Sequence, residues 1–122
     1  MKMHHNFRRL NVYVVAKTLV KEVYLILDSF PSNEQYGLCS QLRRAVISVP
    51  SNIAEGLGRS SDKDKCHFMQ IAYGSLMEVL AQLDIACDIG YLSADEFARI
   101  EQIIVEESKL LHGLINRFKE YK

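Results

Sequence analysis

The chain has 122 residues, 48% of them apolar and 25% charged, with fifteen Lys and Arg balanced by fifteen Asp and Glu. That length and balance suit one folded domain, residues 1–122, with a core of its own. They exclude a charge-driven disordered chain and a strongly basic nucleic-acid module of the usual kind.

Apolar stretches such as Val12–Ala16 and Ala45–Ile47 are far below membrane-spanning length. The N-terminus carries Lys2, Arg8 and Arg9, but Lys17 breaks its apolar run and no small-residue cleavage site follows. The sequence therefore predicts no export signal, no membrane contact and a cytoplasmic protein. Residues 1–6 are expected to be flexible, with His4 and His5 in a frayed terminus.

The first helix is read from Val12, Val15, Ala16, Leu19, Val23, Ile26, Leu27 and Phe30, which keep three-four spacing. It is expected to stop at Phe30, because Pro31 disfavours helical geometry at the residue before it. Ser32 and Asn33 then offer side chains suited to starting a new helix. The second helix carries Leu38, Leu42, Ala45, Val46, Val49 and Ile53 on one face, with Pro50 inside the pattern. A proline there removes one backbone hydrogen bond and clashes four residues back, which predicts a kink, or else two short helices broken at Val49. Ser48, Ser51 and Asn52 surround the site and can serve freed backbone groups.

Ser61 and Asp64 resemble a capping pair that opens the third helix. It runs through Phe68, Ile71, Ala72, Ser75, Leu76, Val79, Leu83 and Ala86 and ends at Gly90, a C-terminal glycine signal. Ser93 and Glu96 form a capping box for the fourth, which continues through Phe97, Ile100, Ile104, Leu111, Leu114, Ile115 and Phe118. No strand-like alternation occurs. The pattern predicts an all-α, antiparallel up-down-up-down four-helix bundle with Leu42, Val46, Val49, Ile71, Leu76, Leu83, Ile104 and Leu111 in its core.

Little in the chain suggests chemistry. Cys39, Cys66 and Cys87 are odd in number and form no CxxC pair. Cys66 and Cys87 on one helix would stand about 30 Å apart, so all three read as reduced packing residues. A di-metal bundle needs two Glu-x-x-His motifs and two further glutamates, and the nearest match is a single Asp64-x-x-His67. His112 borders the apolar stripe of the fourth helix and reads as a boundary residue. With no GxSxG turn, P-loop or GxGxxG, the sequence predicts no catalytic residue, metal or cofactor, and a non-enzymatic protein.

The informative stretch is Gln41–Arg59. Its polar members Gln41, Arg44, Ser48, Asn52, Glu55 and Arg59 recur every three or four positions and form one stripe on the second helix. Such a stripe suits a solvated face, or a polar contact between subunits. Tyr13, Val20, Tyr24 and Ile47 are apolar residues beyond what one bundle core needs. Together with Arg44, Ser48, Asn52 and Glu55 they form the candidate interface of a homo-oligomer. Arg8, Arg9, Arg43, Arg44 and Arg59 are the candidate contacts to nucleic acid. The first sixty residues carry a surplus of four positive charges and the remainder a surplus of four negative ones.

The run Pro31-x-x-Glu34-x-Tyr36-Gly37-Leu38-x-x-Gln41-Leu42-Arg43-Arg44-Ala45, followed by Ser48-Val49-Pro50-Ser51-Asn52-Ile53-Ala54-Glu55-Gly56, resembles the signature of the 23S ribosomal RNA intervening-sequence family of four-helix-bundle proteins. Arg59-x-Ser61, Phe68-x-x-Ile71-Ala72-x-Gly74-Ser75-Leu76-x-Glu78, Gln82-Leu83-x-Ile85-Ala86 and Gly90-Tyr91 are similar to it as well. Tyr13 stands where the family usually has tryptophan, and Val79-Leu80 where it usually has Leu-Glu. The resemblance, which spans the chain from Phe7, implies a small bacterial protein assembled as a ring-like homopentamer. Some relatives are encoded within insertions in large-subunit ribosomal RNA genes. Another, the accessory variability determinant of diversity-generating retroelements, partners a reverse transcriptase and is thought to bind nucleic acid. The resemblance therefore implies a scaffold or adaptor for a protein or RNA-associated complex, or alternatively a direct binder of RNA or DNA.

Overall fold

The structure, a computed structural model, describes residues 3–120, with side chains from Asn6 onward. Met1, Lys2, Tyr121 and Lys122 lie outside the described residues, as do the side chains of His4 and His5. Of residues 1–6, expected to be flexible, Met3 onward belongs to a 3-10 helix, Met3–Arg9. Four α-helices follow: α1 (Asn11–Leu27), α2 (Leu38–Leu57), α3 (Asp62–Asp88) and α4 (Ala94–Lys119). Among the described residues there is no strand. Helix α1 packs on α2 and α4, and α3 packs on the same two, so the seams run in a closed square around one core.

Helix α1 ends three residues before the expected Phe30. Pro31 has no N–H to give Leu27, and the backbone tightens ahead of it. Ser29 N–H donates to the Ile26 carbonyl at 3.2 Å and Phe30 N–H to that of Leu27 at 3.1 Å, three residues back rather than four. The Phe30 side chain stays buried and packs on Tyr91, ring centroids 5.4 Å apart.

Ser32 and Asn33 start only a 3-10 turn, Ser32–Glu34, and α2 begins later, after Gly37. Its first turn is served by Glu34, whose Oε1 accepts from Leu38 N–H at 3.2 Å while its Oε2 accepts from the Tyr91 hydroxyl at 2.8 Å. One carboxylate thus ties the α1–α2 connection to the turn before α4. Holding the phenolic proton in this bond raises the Tyr91 pKa above its ordinary value.

Pro50 lies inside α2, which runs unbroken from Leu38 to Leu57, so two short helices do not form. The Asn52 amide donates to the Ser48 carbonyl at 2.8 Å, the kind of local backbone bond expected around the proline. Near its end α2 comes very close to α3. A Cβ on Gly56 would fall 2.6 Å from the Phe68 Cβ and 2.7 Å from the Met69 Cε.

Both expected N-caps form. Ser61 Oγ accepts from Asp64 N–H at 3.0 Å. Ser93 Oγ accepts from Glu96 N–H at 3.1 Å, and Glu96 returns the bond to Ser93 N–H at 3.0 Å. Those bonds to Ser93 lower the Glu96 pKa. Gly90, at φ +90°, closes α3 as Tyr91 N–H folds back to the Ala86 carbonyl at 2.9 Å.

Seven of the eight expected core residues are buried, and Ile71 is the correction, at 38% exposed. The inner face of α3 is instead Met69, Ala72, Leu76, Val79, Leu83 and Ala86, which alternate steps of three and four. Ile71 lies two positions from Met69, about 200° around the helix, and so falls outside that face. Cys39 and Cys66 are buried free thiols and Cys87 is half-buried and free. Burial pushes the Cys39 pKa up, as expected for a packing residue.

Candidate functional site

The candidate interface residues fall on two different seams. Tyr13 and Val20 of α1 and Ile47 of α2 line one groove with Lys17, Lys21, Pro50, Ser51 and Ala54. Its floor is apolar, and its α1 rim carries two lysines. Ile47 remains 41% exposed and Tyr13 and Val20 half-buried, so an apolar strip is open at this edge. The Lys17 ammonium lies 5.6 Å from the Tyr13 ring centroid. Tyr24 is also exposed, at 42%, but it does not line this groove.

Arg44 and Ser48 belong to the α2–α3 seam, where they line a polar groove with Gln41, Ala45, Ser75 and Glu78. The Ser48 and Ser75 hydroxyls are 2.7 Å apart, and the Asn52 amide donates to Ser48 Oγ at 2.9 Å. Further along, Gln82 Nε2 donates to Gln41 Oε1 at 3.3 Å and to Glu78 Oε2 at 3.2 Å. Ser48, Gln41 and Asn52 therefore spend much of their hydrogen-bonding capacity inside the protomer, locking α2 onto α3. Glu55 is exposed and pairs with Arg59 at 3.0 Å one turn on. An exposed pair of this kind adds little to stability.

The five candidate nucleic-acid arginines do not converge. Arg8 and Arg9 are exposed on the N-terminal 3-10 helix, beside Phe7 and Leu10, which share a cleft with Leu57 and Arg59. Arg59 there lies over the Phe68 ring at 4.8 Å while paired to Glu55. Arg43 and Arg44 stand four turns away along α2, about 22 Å at the helical rise. Arg43 donates to the Gln35 carbonyl at 3.2 Å, and Arg44 is exposed over the polar groove. The result is one basic end with Arg8, Arg9 and Arg59, and a separate pair near the other end of α2.

Asp64 and His67 are exposed in the first turns of α3, with the His67 ring edge-on to Phe68 at 5.6 Å. His112 is exposed and stacks on Tyr73 at 4.6 Å, a boundary position as expected. Among the described residues no three His, Cys, Asp or Glu side chains gather as a metal site would require. No described helix is long and apolar enough to cross a membrane.

Three features escaped the reading of the sequence. In the sequence Lys17 reads only as a break in an apolar run and Lys21 carries no signal, yet both rim the open groove. Tyr36 projects from the α1–α2 connection at 95% exposure, although it was visible in the sequence beside Gly37 as an aromatic in a loop. Glu107 is fully buried in α4, and neither carboxyl oxygen has a hydrogen-bond partner. Its spacing from Ile104 and Leu111 is the signal that could have found it.

A family model described as 23S rRNA-intervening sequence protein matches residues 8–113. No curated protein matches the chain. The family match takes in all of α1, α2 and α3 and most of α4, together with the Glu34–Tyr91 tie, the Pro50 helix and the Gly56 crossing. The chain belongs to the 23S rRNA-intervening sequence protein family.

Proposed function

We propose that this is a non-enzymatic, cytoplasmic homo-oligomer that serves as a scaffold or adaptor for a protein or RNA-associated complex. The observation that carries the reading is the open apolar strip of Tyr13, Val20 and Ile47 between α1 and α2. Burying it against another chain removes apolar surface from water, the main driving force of association. In this reading the bundle is up-down-up-down, since short connections favour antiparallel neighbours. Helix α2 bends at Pro50, which presents Ile47 and Ser51 on the outer edge. The number of subunits, five, rests on the resemblance to the family's ring-forming members. Sedimentation velocity at micromolar concentration is expected to give five times the 14.0 kDa of one chain. A stable species of 14.0 kDa would overturn the assembly.

A direct nucleic-acid-binding role is the second reading, favoured by the clustering of Arg8, Arg9 and Arg59 at one end. An oligomer repeats that end in every subunit, and weak contacts multiply when linked. Fluorescence anisotropy with a ribosomal RNA hairpin is then expected to show binding that weakens steeply with salt. Arg8→Glu with Arg9→Glu is expected to abolish it while leaving the oligomer intact. Equal affinity for both proteins would remove this reading.

A further inference from the structure

The square arrangement of seams puts a second groove on the side of the bundle opposite the α1–α2 groove. It lies between α3 and α4 and is lined by Met77, Leu80, Ala81, Asp84, Phe97 and Glu101. Its volume, about 400 Å³, is close to the 470 Å³ of the first. Like the first it has an apolar floor, and apolar side chains continue along both rims. Ile85, one turn beyond Ala81, is 53% exposed, and Val105, one turn beyond Glu101, is 47% exposed.

The two grooves differ in the sign of their edges. Lys17 and Lys21 flank the first, and the nearest acid on α1, Glu22, is already held by Arg99 of α4. Asp84 and Glu101 flank the second, with Asp88 one turn further on. No lysine or arginine occurs between Lys65 and Arg99, so that stretch of α3 and the start of α4 offer only negative charge. The surplus of positive charge in the first half of the chain, and of negative charge in the second, is thereby laid out on opposite flanks of one bundle.

We propose that the α1–α2 groove of one chain receives the α3–α4 groove of a second copy, with Lys17 and Lys21 set against Asp84 and Glu101. This rests on the homo-oligomer reading above and names its contact. A two-fold contact of either groove with itself would set like charges together, lysine on lysine or carboxylate on carboxylate. Like-charge juxtaposition disfavours a pairing even when the apolar floors fit. The contact is therefore heterologous, each copy offering one groove to the neighbour ahead and the other to the neighbour behind. Contacts of that type propagate until the rotation between copies closes a ring. The apolar floors supply the association and the rim charges fix its polarity.

Charge reversal on each flank tests it. Lys17→Glu with Lys21→Glu leaves both grooves acidic, and Asp84→Lys with Glu101→Lys leaves both basic. Each double variant alone is expected to sediment at the 14.0 kDa of one chain, while the quadruple variant that carries all four substitutions reassembles, because every contact again joins opposite charges. Far-UV circular dichroism is expected to match the wild type, since all four side chains lie on exposed or half-buried rims. Carbodiimide coupling of the wild-type protein gives a readout free of mutation. Mass spectrometry is expected to find Lys17 or Lys21 joined to Asp84 or Glu101, and isotope mixing to show that the joined peptides come from different chains. Double variants that keep the wild-type mass, or couplings that avoid these residues, overturn the pairing and leave the oligomer standing. A wild-type protein that is itself a monomer overturns the oligomer reading and the pairing with it.

Discussion

Glu107 is the residue whose cost to the protein is easiest to measure. It occupies an inward position of α4, with a fully buried side chain and two carboxyl oxygens that lack partners. Burial, aided by the nearby charge of Glu106, pushes its pKa from 4.5 up to about 9. The native protein therefore holds a proton that the unfolded chain gives up near pH 4.5. A raised native pKa means that this stabilisation is complete below pH 4.5 and is lost progressively until pH reaches about 9. The loss runs at roughly 1.4 kcal/mol per pH unit across that window. Glu107→Gln keeps the shape and removes the titration. Urea denaturation at pH 5, 7 and 9 is expected to show stability falling for the wild type and nearly level for the variant, which becomes the more stable protein at pH 9. Parallel pH profiles would mean that Glu107 reaches solvent or a partner in solution. The sequence carried this residue openly, since Ile100, Ile104, Glu107, Leu111 and Ile115 keep core spacing, but a pattern of apolar residues skips a charged one. The misplacement of Ile71 is the reverse case. Its apolar side chain drew it into the stripe, while Met69 and the three-four spacing of Ala72, Leu76, Val79 and Leu83 define the buried face.

At the scale of elements, the starts of α3 and α4 were legible because Ser61 and Ser93 act through atoms three residues away. The start of α2 was not, because its cap comes from Glu34, held in place by a tyrosine 57 residues further on. The early end of α1 has the same character, because the sequence places the proline without saying how many residues before it tighten. Gly56 is a third long-range effect. It sits in the run Ser51-Asn52-Ile53-Ala54-Glu55-Gly56, where it reads as a helix stop, yet the helix includes it and α3 presses on its Cα. Gly56→Ala is therefore expected to destabilise the protein, by about 1–3 kcal/mol as for other overpacked positions. Gly74→Ala and Gly113→Ala are the internal controls. Both glycines are helical with nothing within 4 Å of an added Cβ, so each change is expected to be neutral or to stabilise by up to about 1 kcal/mol. Chemical denaturation of the three variants checks this, and a neutral Gly56→Ala would show that α2 and α3 separate more easily than their packing suggests.

For the whole molecule, the sequence determined the number of helices and most of the core, because both follow from local periodicity. It left open which surface residues share an edge, because that depends on the order of helices around the square. Tyr13, Val20 and Ile47 come together only when α1 lies beside α2, and Asp84 meets Glu101 only when α3 lies beside α4. Arg44, Ser48 and Asn52, grouped with them in the sequence, turn toward α3 instead. If the two outer grooves join copies, folding and assembly are linked, since a partner that binds only the native chain stabilises it by mass action. The thermal midpoint of the wild type is then expected to rise with protein concentration across a hundredfold range. The Lys17→Glu, Lys21→Glu variant has lost the contact and is expected to melt at one temperature throughout that range. Its midpoint should meet that of the wild type at the lowest concentration, where dissociation leaves both as single bundles. Sodium chloride tests the charge component separately. Raising it to 1 M shortens the screening length to about 3 Å, which relieves the like-charge repulsion in the variant and is expected to restore part of its concentration dependence, while the apolar floors preserve that of the wild type. A midpoint that rises with concentration equally in both proteins would place the subunit contact on another face of the bundle.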